Sequence, residues 1–222
     1  HKDLKNGLSA PPKLTIPNII NMMGKLRWCM GMLGTSRRQF GNIVGHVKGV
    51  GDMGSLSEWT AKQFDPQLNW NDVEWIKKRW GGKLILKGIQ DVEDAKLAAD
   101  SGADALIVSN HGGRQLDGAE SSIRALPAIA DAVGSRIEVH MDGGIRSGQD
   151  VLKAWSLGAR GTYIGRAMVW GLGAMGEAGV TKALEIIHKE LDLTMAFCGR
   201  TRLADVDRSI LLTPDTPWGK ST

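Results

Sequence analysis

The rhythm of apolar and polar positions changes near residue 69. Before it, apolar residues fall in irregular clusters broken by glycine and proline. After it, short apolar runs alternate with amphipathic stretches, four times over. The run at 83–87 (Lys-Leu-Ile-Leu-Lys) predicts a first strand, and a helix from Asp91 to about Asp100 follows, with Gly102 past its end. Ala105–Ser109 predicts a second strand and Ser122–Val133 its helix. Arg136–Met141 predicts a third strand, followed by a helix capped by Ser147 and stopped at Gly158. Gly161–Ile164 predicts a fourth, with a long helix across 177–197 ending at Gly199. Ahead of these units, Trp70–Trp80 carries an acidic first turn and a basic last turn, which suits a helix dipole, and Gly81–Gly82 ends it. A short final helix is expected over Thr201–Asp207, and the tail beyond Thr213 is expected to be loose.

Residues 1–17 are polar and contain Pro11, Pro12 and Pro17, which predicts an irregular loop. Residues 18–34 are rich in methionine. Helical spacing there puts Ile19, Met22, Met23 and Leu26 on one face, with Lys25 and Arg27 outside it. A helix lying on a membrane surface and a helix covering the core both fit. Residues 35–60, with Arg37 and Arg38, are rich in glycine and serine and read as an irregular stretch. The chain opens on His1-Lys-Asp-Leu-Lys-Asn-Gly7, which is loop-like text and suggests a fragment. The expected organisation is a long loop segment over 1–68 and part of a barrel over 69–222.

Repeated strand–helix units imply parallel strands. The pattern Asp94-Ala95…Gly102-Ala103 is echoed, two units on, by Asp150-Val151…Gly158-Ala159. A closed (β/α)₈ barrel takes eight units and ~250 residues. Four are present, so the predicted fold is α/β: the C-terminal half of a TIM barrel, strands five to eight, preceded by a long irregular loop segment. A doubly wound open sheet is the alternative. Against it, no Gly-x-Gly-x-x-Gly follows the first strand.

The 222 residues suffice for a sizeable core, and 42% hydrophobic with 23% charged is ordinary globular composition. A net charge of +4 with no basic stripe gives no reason to expect a nucleic-acid partner. Cys29 and Cys198 are far apart and form no metal-type spacing, so no metal site is expected and a reduced, cytosolic setting is. No apolar run approaches the ~20 residues of a spanning helix.

The most informative stretch is Ala105–Asp117. A β-branched run ends abruptly in Ser109-Asn-His-Gly-Gly-Arg-Gln-Leu-Asp117. His111 and Arg114 are separated by two glycines. An imidazole exchanges a proton near neutral pH, and a guanidinium grips a carboxylate through two parallel hydrogen bonds. That pair suits binding a small acid and deprotonating it. Two later strand ends read as a phosphate clamp. Asp142-Gly143-Gly144-Ile145-Arg146 opens a helix at Ser147, where the helix N-terminus and Arg146 offer positive potential, and Gly165-Arg166 precedes another helix. Lys87 ends an apolar strand, where an ammonium is costly unless paired.

The nonapeptide 109–117 resembles the motif of the FMN-dependent α-hydroxy acid dehydrogenases and oxidases, and the likeness extends from residue 1 to about Leu212. The resemblance implies FMN as cofactor and oxidation of an L-2-hydroxy acid, with L-lactate the expected substrate. Electrons would pass to a quinone or cytochrome. An oxygen-using oxidase and a non-catalytic flavin-phosphate-binding half barrel are the alternatives. By resemblance, His111 is the catalytic base and Arg114 the substrate carboxylate ligand. Lys87 lies beside the flavin pyrimidine ring and Ser109 contacts the flavin. Asp142, Gly143, Gly144, Ile145, Arg146, Gly165 and Arg166 hold the ribityl phosphate. Asp117 is expected to anchor the His111 loop. Residues 1–60 match the loop after strand four, which in membrane-associated members docks to the bilayer. A cytoplasmic or inner-membrane-peripheral location and a homotetramer are the corresponding expectations. The residues this family carries on its first four strands have no counterpart here, so the segment alone is expected to be inactive.

Overall fold

The structure is a computed structural model that describes residues 15–35, 41–43, 45–47, 49–50, 53–63 and 65–212. The expectations for residues 1–14, for Arg37 and Arg38 and for the tail beyond Thr213 lie outside the described residues. The chain forms two compact units, His1–Leu68 and Asn69–Thr222.

Among its described residues, the first unit contains three helices: α1 (Ile16–Met23), α2 (Leu26–Gly34) and α3 (Met53–Lys62). Thr15 caps α1 by accepting from the Asn18 N–H, and a proline sits in its first turn, where a missing N–H costs nothing. The methionine-rich stretch is therefore two helices, broken at Gly24–Lys25, where the expected face predicted one. Neither helix buries a residue, and Ile16, Ile20, Met23, Leu26, Trp28, Met30 and Leu33 are all exposed. Helix α3 corrects the irregular reading of 35–60. Its glycine and serines hide helical periodicity, yet Leu56 is buried and the Thr60 hydroxyl donates to the Leu56 carbonyl at 2.8 Å.

The second unit runs α4 (Trp70–Trp80), β1 (Ile85–Ile89), α5 (Val92–Asp100), β2 (Ala105–Val108), α6 (Ser122–Val133), β3 (Glu138–Met141), α7 (Gly148–Ser156), β4 (Gly161–Thr162), α8 (Arg166–Met175) and α9 (Glu177–Phe197). Single 3₁₀ turns at Leu203–Asp205 and Arg208–Ile210 replace the expected last helix. Local chemistry sets the helix ends. Asn69 and Asp72 form a capping box on α4, which Gly81 closes in the left-handed conformation at φ 69°. Asp91 caps α5, and Ser147 with Asp150 caps α7. Gly176, at φ 63°, separates α8 from α9.

The four strands are parallel and lie in the order β1-β2-β3-β4. A doubly wound sheet reverses its strand order at a switch point, and this one does not. Side chains alternate across a strand, so Leu106, Val108, Val139 and Met141 share one face. There they join Ala95 and Ala98 of α5, Ala125, Leu126, Ile129 and Val133 of α6, and Ala154 of α7 in the core cluster. The other face carries Lys87, Ile107, Glu138, His140 and Tyr163. Helices on one face and a polar opposite face are what part of a (β/α)₈ barrel presents.

The first strand starts two residues later than its apolar run suggests, because Leu84 serves the strand entry. Its N–H donates to Asp104, and its carbonyl accepts from the Asp104 N–H. Hydrogen bonds from Lys77, from Lys83 and from that backbone N–H hold the Asp104 carboxyl well below the usual carboxylate range. Lys77 also donates to the Gly82 carbonyl at 3.0 Å, tying α4 to the start of β1.

Candidate functional site

The C-terminal ends of the four strands converge on one rim. Lys87 of β1 reaches across two strands: its Nζ donates to Ser109 Oγ at 3.0 Å and pairs with Asp142 Oδ2 at 2.9 Å. The ammonium is thus fixed at the strand ends, with its side chain 42% exposed toward the rim. Asp142 Oδ1 is buried with no hydrogen-bond partner.

Ser109 is buried, and its Oγ also accepts from the His111 N–H at 3.0 Å. His111 opens a 3₁₀ turn and is the one non-glycine among the described residues with positive φ, at 54°. Such a conformation persists only where the surroundings impose it. Here Asn110 Oδ1 accepts from the Gly112 N–H, and the Asn110 N–H donates to buried Ser122. On the far side, Arg166 donates to the Gly112 carbonyl at 3.2 Å. Asp117, expected to anchor this loop, is exposed, and Ser109, Asn110, Ser122 and Arg166 do the anchoring instead.

Gly88 makes room for the imidazole. The β1–β2 register slips between Lys87 and Ile89, leaving Gly88 as an extra residue at φ 104°. A Cβ there would lie 2.6 Å from His111 Cε1. Gly143, at φ 86°, fits equally closely: a Cβ would meet Ser122 Oγ at 2.9 Å and Asn110 Oδ1 at 3.0 Å. Gly144 faces open space.

The anion-binding end differs from expectation in one respect. The α7 N-terminus is already satisfied: Asp150 accepts from the Arg146 and Ser147 N–H groups, and Glu190 accepts from Gly148 N–H. Its dipole is answered by two carboxylates of the protein. Helix α8, by contrast, begins at Gly165–Arg166 with no side-chain cap. Its orphan N–H groups, with Arg146 and Arg166, are the stronger seat for a phosphate.

Lys87, His111, Arg114, Asp142, Gly143, Gly144, Ile145, Arg146, Gly165 and Arg166 all line one cleft of about 250 Å³. Of the residues singled out from sequence, only Ser109 stands behind this wall, holding Lys87 and His111. A larger cavity of about 600 Å³ lies on the other side of the Gly143–Ile145 loop, walled by Ile123, Met141, Leu157 and Leu211. It is mostly apolar and lacks His111, Lys87 and the arginines. Sequence reasoning passed over Gly88, Ser122 and Tyr163. Tyr163 also lines the cleft, and strand alternation from Gly161 would have placed it on that face.

The donor set fits a flavin mononucleotide. The arginines and the uncapped helix suit a dianionic phosphate, the open backbone at Gly144 admits close approach, and Lys87 supplies a fixed cation for an electron-rich ring edge.

Comparison with known proteins agrees. The family model described as FMN-dependent dehydrogenase matches residues 1–213. The L-lactate dehydrogenase of Caulobacter vibrioides is 46% identical over 213 residues, covering 95% of this chain and 55% of that protein. The L-lactate dehydrogenase of Pseudomonas syringae pv. syringae is 42% identical over 215 residues, covering 96% and 56%. Among solved structures, the monotopic membrane protein (S)-mandelate dehydrogenase superposes with a TM-score of 0.88 at 31% identity, over 94% of this chain and 55% of that one. A mandelate oxidase structure with (S)-4-hydroxymandelic acid gives a TM-score of 0.65 at 43% identity, over 69% and 43%. The chain thus spans about half the length of the relatives it matches. From its strand-end chemistry and from these matches together, the chain belongs to the FMN-dependent dehydrogenase family.

Proposed function

We propose that this chain forms the cofactor-phosphate and catalytic-base half of an FMN-dependent L-2-hydroxy acid dehydrogenase, with L-lactate as substrate. The observation that carries the reading is the convergence of His111, Arg114, Lys87 and Arg166 on one cleft at one end of the sheet. When bound, FMN would supply the acceptor for the two electrons leaving the substrate carbon. Every other role falls to side chains of this chain.

Arg146, Arg166 and the α8 N-terminus hold the phosphate. Lys87, fixed by Asp142 and Ser109, would offer positive charge to stabilise the negative charge of a bound flavin that has taken up electrons. Arg114 grips the substrate carboxylate as a fork. His111, pinned at φ 54°, takes a proton from the substrate.

The electron acceptor is a quinone or cytochrome, and the protein sits peripherally on the cytoplasmic face of the inner membrane. The exposed apolar residues of α1 and α2, with Lys25 and Arg27 beside them, support docking to an anionic surface. The monotopic description of the mandelate dehydrogenase points the same way. Among the described residues, no helix is long and apolar enough to cross a membrane.

The test is flavin retention. The chain should bind FMN in a fluorescence-quenching titration, and Arg166→Ala should shed it on a desalting column. Full retention by that variant would refute the clamp. Fast peroxide formation in air by the whole protein would replace the dehydrogenase reading with an oxidase.

A further inference from the structure

On the polar face of the sheet, three side chains form a hydrogen-bonded line that none of the roles above uses. Glu138 Oε2 lies 3.0 Å from His140 Nε2, and His140 Nδ1 lies 2.9 Å from the Tyr163 hydroxyl. The two rings sit 5.7 Å apart, tilted by 37°. The line starts at exposed Glu138, passes through His140, whose side chain is 14% exposed, and ends at Tyr163 on the cleft wall.

With a neutral imidazole at His140, one arrangement of protons satisfies every member. A carboxylate can only accept, so Nε2 of His140 carries the hydrogen donated to Glu138. Nδ1 is then an acceptor, and the Tyr163 O–H donates to it. The phenolic hydrogen is committed inward, and the remaining lone pair of that oxygen is an acceptor. The cations of the cleft offer the opposite character. Lys87, Arg114, Arg146 and Arg166 are donors only. Asp142 has one oxygen on Lys87 and the other buried.

We propose that Tyr163 is a ligand-reading residue of this cleft, oriented by His140 and Glu138, whose phenolic oxygen accepts a hydrogen bond from a hydroxyl of the bound phosphate ester. This rests on the reading of the cleft as a flavin-phosphate site and assigns Tyr163 to the polyol that joins phosphate to ring. The arginines take the phosphate, and Tyr163 distinguishes a polyol phosphate from phosphate alone. His140 and Glu138 are positioning residues, because they act through Tyr163.

The test compares two flavin-free probes, ribitol 5-phosphate and inorganic phosphate, titrated calorimetrically into the full chain. Tyr163→Phe should weaken ribitol 5-phosphate about three- to tenfold, the worth of one hydrogen bond, and leave inorganic phosphate within about twofold. Equal losses for both probes, or no loss for either, would overturn the assignment. Glu138→Ala, at an exposed position, is the second variant. In ¹⁵N-histidine spectra, the signal lost in His140→Phe should show the proton on Nε2, and Glu138→Ala should abolish that preference. A proton on Nδ1, a fully protonated ring in the unaltered chain, or an unchanged tautomer in Glu138→Ala would equally overturn it. Failure of the unaltered chain to bind either probe would overturn the phosphate-site reading and the Tyr163 assignment together. Binding of both probes without discrimination by Tyr163 overturns the second alone.

Discussion

His111 occupies a backbone conformation that a β-carbon disfavours, and four neighbours hold it there. Ser109 takes its N–H, Asn110 and Arg166 take the two sides of Gly112, and Gly88 leaves space for the ring. In the proposed reaction, such over-determination would fix where a proton is accepted. His111→Gln in the full-length protein should therefore lower turnover by roughly 10²–10⁴-fold while FMN stays bound. Turnover surviving that change in a steady-state assay would contradict the base assignment. Arg114→Lys should instead raise KM for the hydroxy acid with a smaller change in kcat, since a point charge replaces a fork. An unchanged KM would remove Arg114 from the carboxylate. His111 and Arg114 were legible in the sequence because their chemistry sits in one contiguous stretch. Gly88, Ser122 and Tyr163 were not. Their relation to that stretch passes through strand register and a bulge, which no local pattern encodes.

Among the elements, β1 is the one whose irregularity serves the site. Its extra residue at Gly88 shifts the register past Lys87 and opens the space under His111. Gly88→Ala should displace the imidazole and strain a backbone at φ 104°. The expected outcome is activity lost to nearly the extent of His111→Gln, with the His111 ring signals shifted in NMR spectra. Normal activity would show that the ring moves freely. The α7–α9 crossing depends on a second glycine. A Cβ at Gly148 would fall 1.9 Å from the Leu191 backbone nitrogen, so the helices cannot keep their spacing around an alanine. Gly148→Ala should destabilise the fold by about 1–3 kcal/mol in urea unfolding. An unchanged midpoint would contradict that close approach.

The helices were readable from their caps. Asn69, Asp91 and Ser147 mark the starts of α4, α5 and α7, and Gly81 marks the end of α4. Strand ends were less readable. Apolar runs such as Leu84–Leu86 begin before the point where ladder pairing starts, because Leu84 bonds to Asp104 instead. Helix α3 escaped notice because glycine and serine diluted its pattern.

At the scale of the whole molecule, the two ends of the sheet have different work. The C-terminal end gathers the cleft, and the N-terminal end carries a structural tie through Asp104. That carboxyl has a depressed pKa in the fold, so its stabilisation is fully present above the ordinary aspartate value of about 3.9 and is lost as pH falls toward the folded value. Asp104→Asn should lower the melting temperature at pH 7, and the gap from the unaltered chain should narrow below about pH 4. A gap constant across that window would show that the contacts with Lys77 and Lys83 do not act through charge. The barrel reading came from counting strand–helix units, and the strand order β1-β2-β3-β4 with helices on one face decides it against a doubly wound sheet. The polar face was less evident, since Glu138 and His140 look like ordinary surface residues until β3 is placed between β2 and β4.

In the proposed function, this rim binds a flavin and delivers electrons from a hydroxy acid to it. The most direct measurement is the visible absorption spectrum of the full-length protein, purified and then mixed anaerobically with L-lactate. The expected spectrum has the two absorption bands of an oxidised flavin, released as FMN on denaturation, and the bands bleach within the mixing experiment. A colourless protein that takes up no FMN, or a bound flavin left unbleached by L-lactate and by other L-2-hydroxy acids, would contradict it.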